Sequence, residues 1–317
     1  MNNAKTAVIN GRVYCGGGIA EDSYDDEHIV YSYDLLQDKW TTLPPLPVRY
    51  FGLGQVNGEL VAVGGRKEKS DDNTAVTSIN NIYTFDEKSQ KWMQRIPPMP
   101  TARDCINVLS LQSALIVAGG CTAPFYTDIV EVFKPDTSQW YRTAPLPTAC
   151  CQMSLVAIGS VCFALGGYNG SLLNQALYAS VVDLLGNAVP TNQTTYSDST
   201  DVQSAWKTLP NSPTYRPAAA MLAGNLFAIG GKEESTLHTT SKKEVYLYSP
   251  STNSWVYTSD LPAPLFGSAV AVLSSIEILV IGGLTAATGL FGGWNATSGT
   301  SGDRVNTVYK GTLYLKP

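Results

Sequence analysis

A chain of 317 residues, 44% hydrophobic and 15% charged, has ample material for a large core, and its net charge of −5 supplies no overall field favouring nucleic acid or an anionic membrane. The opening MNNAKTAVING has neither the basic start nor the long apolar run of a secretory leader, and no stretch reaches the roughly 18 apolar residues of a membrane span. These features lead us to expect a cytoplasmic chain with no nucleic-acid or membrane partner.

One phrase recurs along the chain: a turn, then a short apolar run, then two glycines. It stands at 11–18 (GRVYCGGG), 57–65 (NGELVAVGG), 114–120 (ALIVAGG), 161–167 (VCFALGG), 225–231 (NLFAIGG) and 277–283 (EILVIGG). The glycine pairs begin at 17, 64, 119, 166, 230 and 282, a period near 50 that marks a radial array of small sheets. Each repeat reads as four short strands, a to d. In the second, strand a covers Gly52 to Val56, an Asn57-Gly58 hairpin turn follows, and strand b covers Leu60 to Val63. Runs such as 115–118 (LIVA) and 278–281 (ILVI) are apolar on both faces, as a sheet covered on both sides requires. Strand c follows a variable loop, for example Asn81 to Phe85, and a tryptophan opens strand d. The aromatic of strand c and that tryptophan are 7 residues apart in four copies: Tyr33 and Trp40, Phe85 and Trp92, Phe133 and Trp140, Tyr248 and Trp255. Proline-bearing crossings such as 43–47 (LPPLP) and 144–147 (APLP) then lead to the next repeat.

Apolar run, Gly-Gly, aromatic and Trp together resemble the kelch family of β-propellers over essentially the whole chain, with a texture similar to BTB–kelch ubiquitin-ligase adaptors and invertebrate multidomain kelch proteins. The resemblance implies an all-β, six-bladed kelch propeller forming a single domain over 1–317, with blades near 4–43, 50–95, 104–143, 152–209, 217–258 and 267–317. Two repeats depart from the pattern. In the fourth, the polar insertion 184–205 precedes Trp206 and reads as a projecting loop. In the sixth, a Gly/Ser/Thr-rich loop at 284–304 contains Leu290, Phe291 and Trp294, and aligning 310–317 (KGTLYLKP) with 243–250 (KEVYLYSP) leaves the blade without strand d. The ring then closes by blade-face packing, or by a strand lying upstream of this sequence.

Antiparallel order puts the b–c and d–a loops on one face. Arg49, Arg103 and Arg216 follow proline-bearing crossings there, and Arg66, Tyr168, Asn169 and Lys232 follow glycine pairs. In BTB–kelch adaptors, arginines at the crossing line a pocket for acidic peptide motifs, so the resemblance implies that role for Arg49, Arg103 and Arg216. Aromatics such as Tyr50, Tyr168 and Tyr215 would add anchors, and the loop carrying Trp294 falls on the same face. The other reading is that these arginines only brace neighbouring blades. The acidic run Glu21, Asp22, Asp25, Asp26 and Glu27 reads as a solvated loop tip.

Catalytic signals are poor, with no HExxH, P-loop or GxSxG motif. The two histidines, His28 and His238, lie in loops of different repeats, and the copper-oxidase and sugar-mutarotase propellers resembling this chain remain the enzymatic alternative. The six cysteines, with no CxxC, read as buried reduced thiols, with a redox or metal role for Cys150 and Cys151 the competing view. The expectation is therefore a non-enzymatic interaction module without metal or cofactor, binding a protein or peptide partner, or else an actin-associated scaffold, and forming part of a larger chain.

Overall fold

The computed structural model describes residues 4–18, 28–68, 76–111, 114–122, 124–186, 188–191, 205–234, 239–285, 303–304 and 308–312. Trp294, Leu290, Phe291, the acidic run from Glu21 to Glu27, His238 and the outer part of the fourth-repeat insertion lie outside the described residues. Within them the chain forms six antiparallel sheets in a ring, a six-bladed β-propeller.

The second blade shows why the repeat folds this way. Its strands a to d are Gly52–Val56, Glu59–Glu68, Val76–Asp86 and Lys91–Met93, hydrogen-bonded in that order. Asn57 and Gly58 join the first two with φ of 52° and 79°, both positive, as a two-residue turn matched to strand twist requires. In strand b the side chains alternate between two interfaces. Leu60 and Ala62 pack with blade-one residues such as Val30 and Leu46, whereas Val61 and Val63 pack with Ile106, Leu115 and Val117 of blade three. A run apolar on both faces is thus the signature of a sheet wedged between two others. The described residues form six such apolar clusters, one for each junction between neighbouring blades.

The seven-residue spacing from aromatic to tryptophan also acquires a physical meaning. It brings the two rings directly opposite each other across the c–d hairpin, in the register pairs Tyr33 with Trp40, Phe85 with Trp92, Phe133 with Trp140 and Tyr248 with Trp255. Their ring centres lie 4.8, 5.1, 5.4 and 5.5 Å apart. Three of the indoles then reach back to the preceding crossing. Trp92 Nε1 donates to Pro44 O, Trp140 Nε1 to Pro97 O and Trp255 Nε1 to Pro210 O, at 2.8, 2.9 and 2.8 Å.

Two expectations need correcting. The fourth-repeat insertion does not project over its first part. A short helix, Val181–Gly186, buries Leu184, and Val189–Pro190 pairs with strand d of blade three (Gln139–Thr143) as a fifth strand. Leu184 and Val181 are the apolar anchors of that docking, within a segment polar enough on average to read as a loop. In blade six, strand c is Val308–Thr312, and Val308 opposes Ile281 as Val245 opposes Ile229. That register begins four residues earlier than the alignment of 310–317 implied. Val308 packs toward blade one and Tyr309 toward blade five, so these two side chains fix the register.

Blade six has three strands among the described residues, Ala269–Val272, Glu277–Ile281 and Val308–Thr312. The ring closes where its inner strand meets strand a of blade one, Lys5–Ile9, with Thr6 Oγ1 donating to Val270 O at 2.7 Å and Val13 and Cys15 packed against Ala271, Leu279 and Ile281.

Glycine pairs allow the close approach of blades. At Gly119 φ is +61° and an added Cβ would lie 2.3 Å from Cys150 O of blade four, whereas at Gly58 it would meet nothing within 4 Å. Gly119→Ala should therefore cost about 3 kcal/mol or more, or abolish folding, against about 1 kcal/mol for Gly58→Ala, where only backbone conformation is strained. Denaturant unfolding of the two variants beside the parent tests this ordering.

Candidate functional site

Each d–a turn returns the chain to the ring at a fixed geometry. A residue before strand a makes a two-bond bridge with the residue after its own glycine pair: Arg49 with Arg66, Asp104 with Cys121, and Tyr215 with Lys232. Cys151 opposes Tyr168 in the same way. The next residue takes a left-handed backbone, with φ of 56° at Tyr50, 50° at Cys105, 55° at Gln152 and 48° at Arg216. Beyond the bridge, strands b and c continue as short ribbons standing on the same face. They are formed by the outer ends of Glu59–Glu68 and Val76–Asp86, by Cys121–Thr122 with Phe125–Tyr126, and by Lys232–Glu234 with Thr239–Ser241.

The three arginines singled out from the sequence occupy three different positions of this turn, and position decides what each side chain does. Arg103, one residue before the bridge, is fully buried. Its Nη1 donates to Gly119 O and Ile129 O at 2.8 and 2.9 Å, and Nη2 to Glu131 Oε2 at 2.7 Å. Thr101 Oγ1 donates to the other Glu131 oxygen at 2.7 Å. The Arg103 guanidinium braces blade three from inside and presents nothing to the face. Arg49, at the bridge, is 7% exposed. Arg216, one residue after it, has its guanidinium carbon 5.9 Å from the Tyr168 ring centre and 5.7 Å from that of Phe266.

Two clusters emerge on the face. In the first, the guanidinium carbons of Arg49 and Arg66 lie 5.4 and 5.2 Å from the centre of the Tyr50 ring. Arg66 is held as a fork by Asp104, Nε to Oδ2 at 3.1 Å and Nη2 to Oδ1 at 3.0 Å, and Ser78 Oγ donates to the same carboxylate at 2.6 Å. In the second, Tyr168 meets Tyr126 edge to face at 5.8 Å, Arg216 lies over Tyr168 and Phe266, and Lys232 Nζ stands 3.8 Å from the Phe266 ring centre. Burial, with Arg216 nearby, lowers the Lys232 ammonium to about 8. Tyr215 stays partly exposed at its bridge, and Asn169 caps the Gly170 turn by accepting from Ser171 N at 3.3 Å.

Sequence reasoning missed Asp104, Tyr126, Phe266 and Lys5. Asp104 and Phe266 sit at bridge positions, so counting three residues back from each strand a would have found them. Lys5 opens strand a of blade one and donates to Asn107 Oδ1 of blade three at 2.8 Å. Between the two clusters lie thiols. Cys105 is raised well above the ordinary thiol range by its hydrogen bond with Cys121 and by burial. All six cysteines are free, and Cys15, Cys150, Cys151 and Cys162 are buried. Among the described residues no three His, Cys, Asp or Glu side chains converge to hold a metal, and no helix is long and apolar enough to cross a membrane.

The Kelch motif family model matches residues 2–47, 102–147 and 213–262, which coincide with blades one, three and five. The chain belongs to the kelch-repeat β-propeller family. Kelch-like protein 40 from Mus musculus is 25% identical over 274 residues, covering 80% of this chain and 39% of that protein. Beta-scruin from Limulus polyphemus is 24% identical over 192 residues, covering 56% of this chain and 20% of its own length. The propeller thus spans less than half the length of these curated relatives. Among solved structures, that titled "Structure of YjhT" superposes with a TM-score of 0.70 over 98% of this chain and 97% of its own, at 16% identity, a likeness of fold.

The buried pair of Arg103 and Glu131 yields a direct test. Arg103→Met should cost about 3 to 5 kcal/mol by leaving a buried carboxylate uncompensated, and adding Glu131→Leu should recover much of that loss. Unfolding midpoints of the single and double variants measure it.

Proposed function

We propose that the chain is a non-enzymatic protein-interaction module that docks a protein or peptide partner on the face of the d–a turns and b–c ribbons, with preference for an acidic motif. The observation that carries this reading is the pairing of cations with aromatic rings on that face. Arg49 and Arg66 flank Tyr50, and Arg216 and Lys232 lie over Tyr168 and Phe266. Rings beside cations provide what a hot spot needs, a rigid apolar contact together with donors for carboxylates. The raised ribbons add walls around both clusters, so an extended segment can be gripped from its sides. Net charge is −5, so the cations of this face attract an acidic segment locally, against the sign of the whole molecule. Membership of the kelch family and the Kelch-like and scruin relatives support a binding role. A cytoplasmic setting and a place within a larger chain belong to the same proposal.

Selection of a random displayed-peptide library on the propeller should enrich acidic sequences. Tyr50→Ala combined with Lys232→Glu should weaken those peptides by about tenfold or more while leaving the melting temperature nearly unchanged. Lys134→Glu, on the opposite face, should bind like the parent. Enrichment without acidic bias, or equal binding by the double variant, would contradict the proposal.

A further inference from the structure

The inner strands of all six blades enclose a channel of about 400 Å³ along the ring axis. Its described lining includes Lys5 and Thr6 of blade one, Gln55 of blade two, Asn107 and Ser110 of blade three, Gln152 and Ser154 of blade four, and Arg216 of blade five, with apolar residues between them. Two of the described lining residues carry a formal charge, Lys5 and Arg216, and both are positive. No Asp, Glu or His is among the described residues that line it.

Both cations stand at the same end. Lys5 opens strand a of blade one, and Arg216 lies two residues before strand a of blade five, so both belong to the end facing the d–a turns. Blade two has Gly52 at the level of Lys5, a residue with no side chain. The ammonium reaches instead to the amide oxygen of Asn107 in blade three, at 2.8 Å. That acceptor is neutral. Among the described residues, its titratable neighbours are Cys105, Cys151 and Arg216, two thiols and a second cation.

We propose that the d–a end of this channel is a binding site for a small organic molecule bearing a terminal oxyanion, a carboxylate or a phosphate, seated between Lys5 and Arg216 with its body in the channel. A planar guanidinium and an ammonium together match either group. Asn107, Gln152 and Ser154 offer neutral donors and acceptors at the same mouth, and about 400 Å³ lies within the range of small-molecule pockets. The electrostatics agree with the geometry. Burial is the main cause that brings Lys5 down to about 8, and Arg216 adds to it, so an anion seated between the two would offset the cost of burying these cations. Arg216 is shared with the aromatic cluster of the rim, whereas Lys5 belongs to the channel wall alone, so Lys5→Gln separates this site from partner docking.

The test is isothermal titration of the full chain at low ionic strength with succinate, with glycerol 3-phosphate and with glycerol. We expect succinate or glycerol 3-phosphate to bind and glycerol not to bind. Heat with succinate alone assigns a carboxylate ligand, and heat with glycerol 3-phosphate alone assigns a phosphate ester; both support the site. Lys5→Gln keeps a donor for Asn107 and should retain the parent melting temperature while weakening the anion about tenfold or more, and Arg216→Gln should do the same. Arg12→Gln removes the same charge from a surface residue paired with Asp34, outside the channel lining, and should bind like the parent. Absence of binding by both anions, or an Arg12→Gln loss equal to that of Lys5→Gln, would overturn the proposal.

Discussion

The ring rests on a clasp built from two glycines. At the clasps of blades two to five the first glycine presses on the backbone of the next blade and the second on the turn of its own. An added Cβ at Gly64 would lie 2.5 Å from Arg103 O, and at Gly65 2.7 Å from Arg49 O. The same division holds for Gly119 and Gly120 against Cys150 O and Asp104 O, and for Gly230 and Gly231 against Leu265 O and Tyr215 O. The close approach is used to form a bond. Gly65 N donates to Arg103 O, Gly120 N to Cys150 O and Gly231 N to Leu265 O, at 2.9, 3.0 and 2.8 Å. These are backbone bonds between blades, and no residue with a side chain could bring the chains near enough to make them.

The clasp also builds the candidate site. Fixing the second glycine against its own turn fixes the bridge residue, and the left-handed residue after it lines the channel in blades four and five, as Gln152 and Arg216. A difference of one position in this turn therefore changes the fate of an arginine completely. Arg103 goes inside to Glu131, Arg49 lies against Tyr50, and Arg216 enters the channel lining. The thiols of Cys105, Cys121 and Cys151 occupy the same turns in blades three and four, so the cations between blades two and five are separated by weakly polar groups.

Much of the architecture was legible in the sequence because its signals are local. Asn57-Gly58, the runs apolar on both faces, and the seven-residue aromatic spacing each have one structural solution, and the structure contains all three. The docking of Leu184 and Val189 on blade three was not legible, because a short contact made by two apolar residues is lost in the average polarity of a long segment. The register of blade six was misread because a match of Lys and Tyr-Leu outweighed the inward pair Val308 and Tyr309. At the candidate site, sequence reasoning assigned many of these residues to one face of the ring, yet it treated the arginines as equivalent. Their difference arises from backbone φ and bridge position, which the crossings do not spell out. Lys5 was missed because its partner Asn107 lies across the channel, two blades away.

The bonds from the glycine pairs bind blade to blade and open only with the ring. Amide hydrogen exchange resolved by NMR at Gly65, Gly120 and Gly231 tests it most directly. We predict that these three amides exchange in the slowest class, with protection equal to the free energy of global unfolding measured by denaturant. Exchange as fast as that of the exposed turn amides, or protection well below the global value at all three, would contradict it.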